Sequence, residues 1–187
     1  MTELASLKPD PRLMGRAVKR VVYDEATIAQ RVHELGRDIS AAYPGGDLLV
    51  LGLLKGSFIF LSDLVRQITR PLQVDFLVAA SYGSGTTSSG QVRLLYDPET
   101  VLAGRHLLLV EDIVDSGTTL NRLVRLLRER GPLSLEICAL LHKRLAPRLE
   151  LEPRFLGFDA PSRFLVGYGL DHAEDFRHLP FIASLKV

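Results

Sequence analysis

The sequence predicts an α/β fold, an open, mostly parallel twisted sheet flanked by helices. Three observations lead to it. Short apolar runs such as Leu48–Leu54 (LLVLGLL) are continuous rather than alternating, the pattern of strands buried on both faces. Between them lie stretches whose apolar residues recur every three or four positions, the period of a helix with one buried face. Strand and helix patterns take turns along the chain, punctuated by glycine and proline, which is the order of a parallel sheet with crossover helices.

The first element expected is a helix over 24–43, where Ile28, Val32, Leu35 and Ile39 form one stripe and Pro44-Gly45-Gly46 closes it. The apolar run 48–54 follows as a strand. Gly56-Ser57 opens a second helix, with Phe58, Leu61, Leu64, Val65 and Ile68 on its inner side. Residues 74–80 read as the next strand, and SYGSGTTSSGQ (81–91) as the most flexible stretch of the chain. A buried strand over 107–110 runs into an acidic loop and then a helix over 119–130, stopped by Gly131-Pro132. Another strand is expected over 135–141, short ones over 155–158 and 164–168, and then an irregular end. No repeat, linker or second domain is legible, so 1–187 is expected to be one domain.

Composition narrows the partners. Of the 187 residues, 47% are hydrophobic and 24% charged, and the net charge of +1 gives no support for a nucleic-acid or membrane partner. The longest apolar run, 48–54, falls far short of the roughly 20 residues of a membrane-spanning helix. The polar, proline-containing start has no apolar stretch of the kind a signal peptide carries. The single cysteine, Cys138, lies in an apolar run and reads as a small buried hydrophobe in a reducing cytoplasm.

The chemistry concentrates in VEDIVDSGTT (110–119). A strand leading through a Gly- and hydroxyl-containing turn into a helix presents backbone N–H groups and a favourable dipole to an anion. Ser116, Gly117, Thr118 and Thr119 therefore point to a phosphate. It is neither a Walker A loop nor a dinucleotide fingerprint, since Gly-Lys-Ser/Thr and G-x-G-x-x-G are both absent. Three acids, Glu111, Asp112 and Asp115, stand beside this cradle and would repel a bare phosphate. They make sense if the ligand also brings hydroxyl groups or Mg²⁺, as a ribose phosphate with a metal does. A helix cap alone accounts for Asp115 or Ser116 and leaves Glu111 and Asp112 idle.

VEDIVDSGTT resembles the phosphoribosyl pyrophosphate (PRPP) motif of type I phosphoribosyltransferases. From about residue 18 to 180 the chain resembles the hypoxanthine-guanine phosphoribosyltransferases of bacterial type. The resemblance implies the family's fold, with a small hood built from N- and C-terminal segments, and Mg²⁺ as cofactor. It implies that Lys55 and Gly56 (in LLKGSF) and Arg177 (in DFRHLP) bind pyrophosphate, and that Ser81 and Tyr82 open a mobile lid. By composition alone, that segment reads equally as a surface hairpin. The resemblance further implies that Lys143 donates to the exocyclic oxygen of a 6-oxopurine, and that Phe164 and Leu165 (in RFLVGYGLD) form the base site. Asp171 matches a metal-binding carboxylate at the base site. Leu165 stands where the family usually has valine. Glu111 and Asp112 would hold the ribose hydroxyls and, with Asp171, the metal, and Asp115 would serve the purine's N7 as general base or acceptor.

The implied activity is transfer of the phosphoribosyl group from PRPP to hypoxanthine or guanine, giving IMP or GMP and pyrophosphate in purine salvage, by a cytoplasmic homodimer or homotetramer. Two other readings stay open. A PRPP-sensing, nucleic-acid-binding regulator of the same fold would not need Lys143, Phe164 and Asp171 and would usually need a basic surface. A xanthine-preferring enzyme depends on small shifts around Lys143 and Asp171.

Overall fold

The run Leu48–Leu54 is buried almost throughout because it lies between two layers of helix. Leu48 and Val50 join one core cluster, Leu49, Leu51 and Leu53 the other. Alternate side chains of one strand thus enter two different cores, which is why the run shows no polar alternation.

The computed structural model describes residues 10–13, 18–45, 47–81, 92–145 and 149–185. After a short 3₁₀ turn at Pro11–Leu13 the elements are β1 (Val18–Tyr23), α1 (Glu25–Ala42), β2 (Leu48–Leu54), α2 (Phe58–Val65), β3 (Leu72–Ser81), β4 (Val92–Tyr96), β5 (His106–Val114), α3 (Thr118–Arg128), β6 (Ser134–His142), β7 (Phe155–Asp159), β8 (Leu165–Val166) and β9 (Ile182–Leu185). Six strands form the main sheet in the order β4-β3-β2-β5-β6-β7. All its pairings are parallel except that of β4, which closes one edge antiparallel to β3.

The amphipathic stripe of α1 (Ile28, Val32, Leu35, Ile39) and the inner side of α2 (Phe60, Leu61, Leu64) cover one face of the sheet. On the other face α3 lays down Leu120, Leu123, Val124 and Leu127. Asp24, expected inside the first helix, is its N-cap, accepting from the Thr27 N–H at 2.8 Å. Cys138 is fully buried in β6, and burial pushes its thiol pKa up. No helix among the described residues is long and apolar enough to cross a membrane.

A second, three-stranded antiparallel sheet, β1-β9-β8, forms the hood. Its own small core gathers Leu13, Val166, Phe176, Leu179, Phe181 and Ala183. Three strands, two in the hood and one at the edge of the main sheet, were not legible in sequence. β1 (VKRVVY) has no buried position and is one-third charged, β4 is an edge strand, and β9 is a segment of only four residues in a tail that looked irregular. Phe164 lies outside β8, which is limited to Leu165–Val166, and Ile68 lies beyond the end of α2.

Candidate active site

β5 runs four residues further than its apolar core suggested and ends at Val114, so Glu111 and Asp112 sit in the strand and not in a loop. Successive strand residues face opposite ways. Glu111 accordingly lines a concavity of about 130 Å³ together with residues 113–120. Asp112 turns toward Gly56, where an added methyl would lie 1.8 Å from its Oδ2. The two acids address two halves of one site.

The concavity is an anion cup. Gly117 takes the left-handed conformation (φ 75°) that starts α3, and its carbonyl accepts from the Asn121 N–H at 2.8 Å. The N-cap residue, Gly117, has no side chain to cap the first turn of α3, which leaves that turn's N–H groups suited to an anion in the cup. The hydroxyls of Ser116 and Thr118 lie 3.3 Å apart at the same rim. Asp115 does not cap the helix. It accepts instead from Lys143 Nζ at 2.7 Å, with the lysine side chain 13% and the aspartate 52% exposed.

Sheet register causes that meeting. Val114 of β5 pairs with His142 of β6, and the Lys143 N–H donates to the Val114 carbonyl at 2.9 Å. The next residue of each strand is then forced alongside the other, and these are Asp115 and Lys143.

Burial dominates the electrostatics of the strand acids. It raises the Glu111 pKa well above the usual carboxylate range, the Asp112 charge adding to the effect, and Glu111 Oε2 has no hydrogen-bond partner among the described residues. Burial pushes Asp112 up to about 6, partly offset by bonds from the Ile113 and its own N–H and by the Arg177 charge.

The second half of the site joins the loop after β2 to the hood. An added methyl on Gly169 (φ 99°) would meet the Gly56 carbonyl oxygen at 2.1 Å, so the two glycines let the loops touch. Arg177 donates to the Gly169 carbonyl at 2.8 Å and pairs with Asp171 at 2.8 Å. Asp171 also accepts from the Glu174 N–H at 2.9 Å. Lys55 Nζ lies 3.1 Å from Glu174 Oε2, and Lys55 first, then Arg177, depresses the Glu174 pKa. The Tyr168 hydroxyl donates to Asp63 on α2 at 2.7 Å and ties the hood loop to the main domain.

Phe164 is 45% exposed and meets His172 edge to face at 5.3 Å. Leu165 is buried in β8, paired with Ser184. Ser81 is the last residue of β3, while Tyr82 and the rest of the expected lid lie outside the described residues.

Sequence reasoning missed Gly169, Glu174 and the Asp63–Tyr168 tie. Gly169 had a signal, a glycine between an apolar run and Asp171, whereas Ala173-Glu174 carries no turn signature at all. Among the described residues no three His, Cys, Asp or Glu side chains cluster closely enough to cage a metal by themselves.

The profile of the phosphoribosyl transferase domain family matches residues 21–172. The chain is 45% identical to a hypoxanthine-guanine phosphoribosyltransferase of Dictyostelium discoideum, with 90% of this chain and 96% of the relative covered. It is 41% identical to the Bacillus subtilis protein of the same name, covering 93% and 97%. Among solved structures, it resembles a hypoxanthine phosphoribosyltransferase of Staphylococcus aureus with a TM-score of 0.87 at 39% identity, covering 90% and 92%. A Bacillus anthracis hypoxanthine-guanine phosphoribosyltransferase with HEPES in its active site gives 0.86 at 39% identity, covering 91% and 100%.

Proposed function

Because this chain belongs to the phosphoribosyltransferase family, we propose that it transfers the 5-phosphoribosyl group of PRPP to hypoxanthine or guanine in purine salvage. The observation that carries the choice of base is the Lys143–Asp115 pair at the rim of the anion cup. A cation donor and a carboxylate acceptor side by side complement a 6-oxopurine, which offers a carbonyl oxygen to one and a ring N–H to the other. Adenine's amino group cannot accept from an ammonium, so the same pair disfavours it.

The cup of Ser116, Gly117, Thr118 and Thr119 takes the 5-phosphate on the open first turn of α3. Glu111 and Asp112 hold the ribose hydroxyls, whose donation suits their buried carboxyls. As the bond to pyrophosphate breaks, positive charge grows on the ribose beside these acids, while Lys55, the Gly56 backbone and Arg177 receive the anion. Asp115 accepts the purine's ring proton as general base, and Lys143 passes from Asp115 to the exocyclic oxygen. Phe164, half exposed, offers its face to the base, and Leu165 gives the backbone contact. Ser81 and Tyr82 open the lid that excludes water from the sugar cation.

Magnesium fits this donor set. Glu111 Oε2, unpartnered among the described residues, and the half-buried Asp112 carboxyl suit ligands that arrive with the substrate, and Asp171 is the third candidate. Such an ion takes one or two carboxylates and fills its other positions with water and phosphate oxygens, which requires no three-residue cage. When bound, Mg²⁺ supplies charge neutralisation on the leaving pyrophosphate.

The reading makes the enzyme a single-domain cytoplasmic homodimer or homotetramer. Exposed Phe58, Val74, Phe76 and Tyr96 support self-association. One assay tests the function: PRPP and Mg²⁺ with hypoxanthine, guanine, xanthine and adenine in parallel, followed by absorbance. Product with hypoxanthine and guanine is expected, and none with adenine. No product from any base would sink the reading.

A further inference from the structure

We propose that Glu174 is an internal stand-in for pyrophosphate: in the free enzyme its carboxylate bridges Lys55 and Arg177, and PRPP must displace it. The inference rests on the reading of those two cations as pyrophosphate ligands.

One oxygen, Glu174 Oε2, lies 3.1 Å from Lys55 Nζ and 3.4 Å from an Arg177 terminal nitrogen. Lys55 stands 119 residues away in sequence, in the loop after β2, while Arg177 belongs to the hood. A single anionic oxygen shared by a lysine and an arginine from different segments is how a bound phosphate oxygen is usually met. The carboxylate therefore fills, from within the chain, the place where two cations converge.

The backbone gives an independent reason to single out this side chain. His172 and Asp175 exchange both backbone hydrogen bonds, at 3.2 and 3.1 Å, around a two-residue turn. Its central residues, Ala173 (φ 52°) and Glu174 (φ 66°), are both left-handed. Such a turn strongly prefers Asn-Gly or Gly-Gly. Glutamate is a poor choice for the left-handed turn, although its N–H donates to Asp171 at 2.9 Å. Strained residues of this kind persist where the side chain has a use, and the use the structure displays is the bridge to Lys55 and Arg177.

Strength decides between a plug and a lock. Lys55 and Glu174 are 67% and 66% exposed, so their pair is weak and readily broken. Arg177 is held elsewhere as well, by Asp171 and the Gly169 carbonyl. A bridge of that strength keeps the two cations gathered and neutralised, yet yields to a ligand carrying several negative charges. On the return path it competes with departing pyrophosphate for the same cations.

The test is calorimetric titration of the full chain with magnesium pyrophosphate, comparing wild type with Glu174→Gln and Glu174→Gly. The glycine variant suits the left-handed turn and guards against a folding defect. Removal of an exposed competing pair should tighten pyrophosphate binding on the order of two- to fivefold in both variants. In a Lys55→Met background, the gain from Glu174→Gln should shrink toward onefold, since the contested cation is gone. Unchanged or weaker pyrophosphate binding in both variants, at wild-type melting temperature, would overturn the proposal. If Lys55→Met alone leaves pyrophosphate affinity unaltered, the assignment of the subsite itself fails, and that outcome is distinct because it does not involve Glu174.

Discussion

Replacing Asp112 by asparagine should make the ligand-free protein more stable while abolishing tight PRPP binding. Asp112 is a half-buried carboxylate in β5, and its desolvation raises its pKa from 3.8 to about 6. A raised carboxyl holds its proton more firmly in the folded chain than in the unfolded one. The group therefore costs nothing well below pH 3.8, where it is protonated in both states. Its cost grows as pH climbs from 4 to about 6 and is constant above. The distance from 3.8 to about 6 corresponds to about 3 kcal/mol at pH 7.5. The asparagine amide needs a partner in the same place, which reduces the expected gain to about 2 kcal/mol. For a chain of this size, that raises the melting temperature by about 4–8 °C. Thermal unfolding of both proteins without Mg²⁺ or PRPP, at half-unit steps from pH 4 to 8, gives the curve directly. The variant should be slightly the less stable at pH 4, where the amide's penalty outweighs the small carboxylate cost, overtake wild type between 4 and 6, and keep a nearly constant lead beyond. A variant less stable than wild type at pH 7.5, or a difference independent of pH, would refute the claim that burial of this charge is a cost carried for binding.

The other expectations are briefer. Asp115→Asn should keep PRPP affinity and lose roughly 10²–10⁴ in turnover if acid–base help is its role; single-turnover rates with hypoxanthine check this, and unchanged turnover removes Asp115 from the mechanism. Gly56→Ala puts a methyl 1.8 Å from Asp112 Oδ2, so the Asp112 carboxylate or the loop must shift, at up to about 1–3 kcal/mol, and KM for PRPP should rise at least tenfold with KM for the base little changed. Ala173→Gly relieves one left-handed non-glycine residue and should add about 1 kcal/mol of stability, read as the denaturant midpoint; a loss would mean that the turn is not strained.

The main sheet was legible in sequence where burial was two-sided. Leu48–Leu54 matches its strand to the residue because every position but the last is buried, so composition alone marks both ends. The stripe of α1 was equally plain, since one face of a helix prints its period into the chain. The hood was not. β1 and β9 pair across most of the sequence, Val18 with Leu185, and neither has a periodicity that survives its short length and mixed exposure. Likewise, Ser116 to Thr119 announced an anion from local chemistry, since a turn into a helix presents the same N–H groups wherever it occurs.

By itself, then, the sequence determined the layered α/β core and the phosphate cup, both products of local pattern. Tertiary structure decided which distant groups face one another. Asp115 meets Lys143 because β5 and β6 pair in one register, and a one-residue slip would part them. Asp112 fits only because position 56 lacks a side chain, and Glu174 reaches Lys55 only through a left-handed turn that no propensity favours. Register, close approach and backbone strain are relations between segments, and no single segment records them.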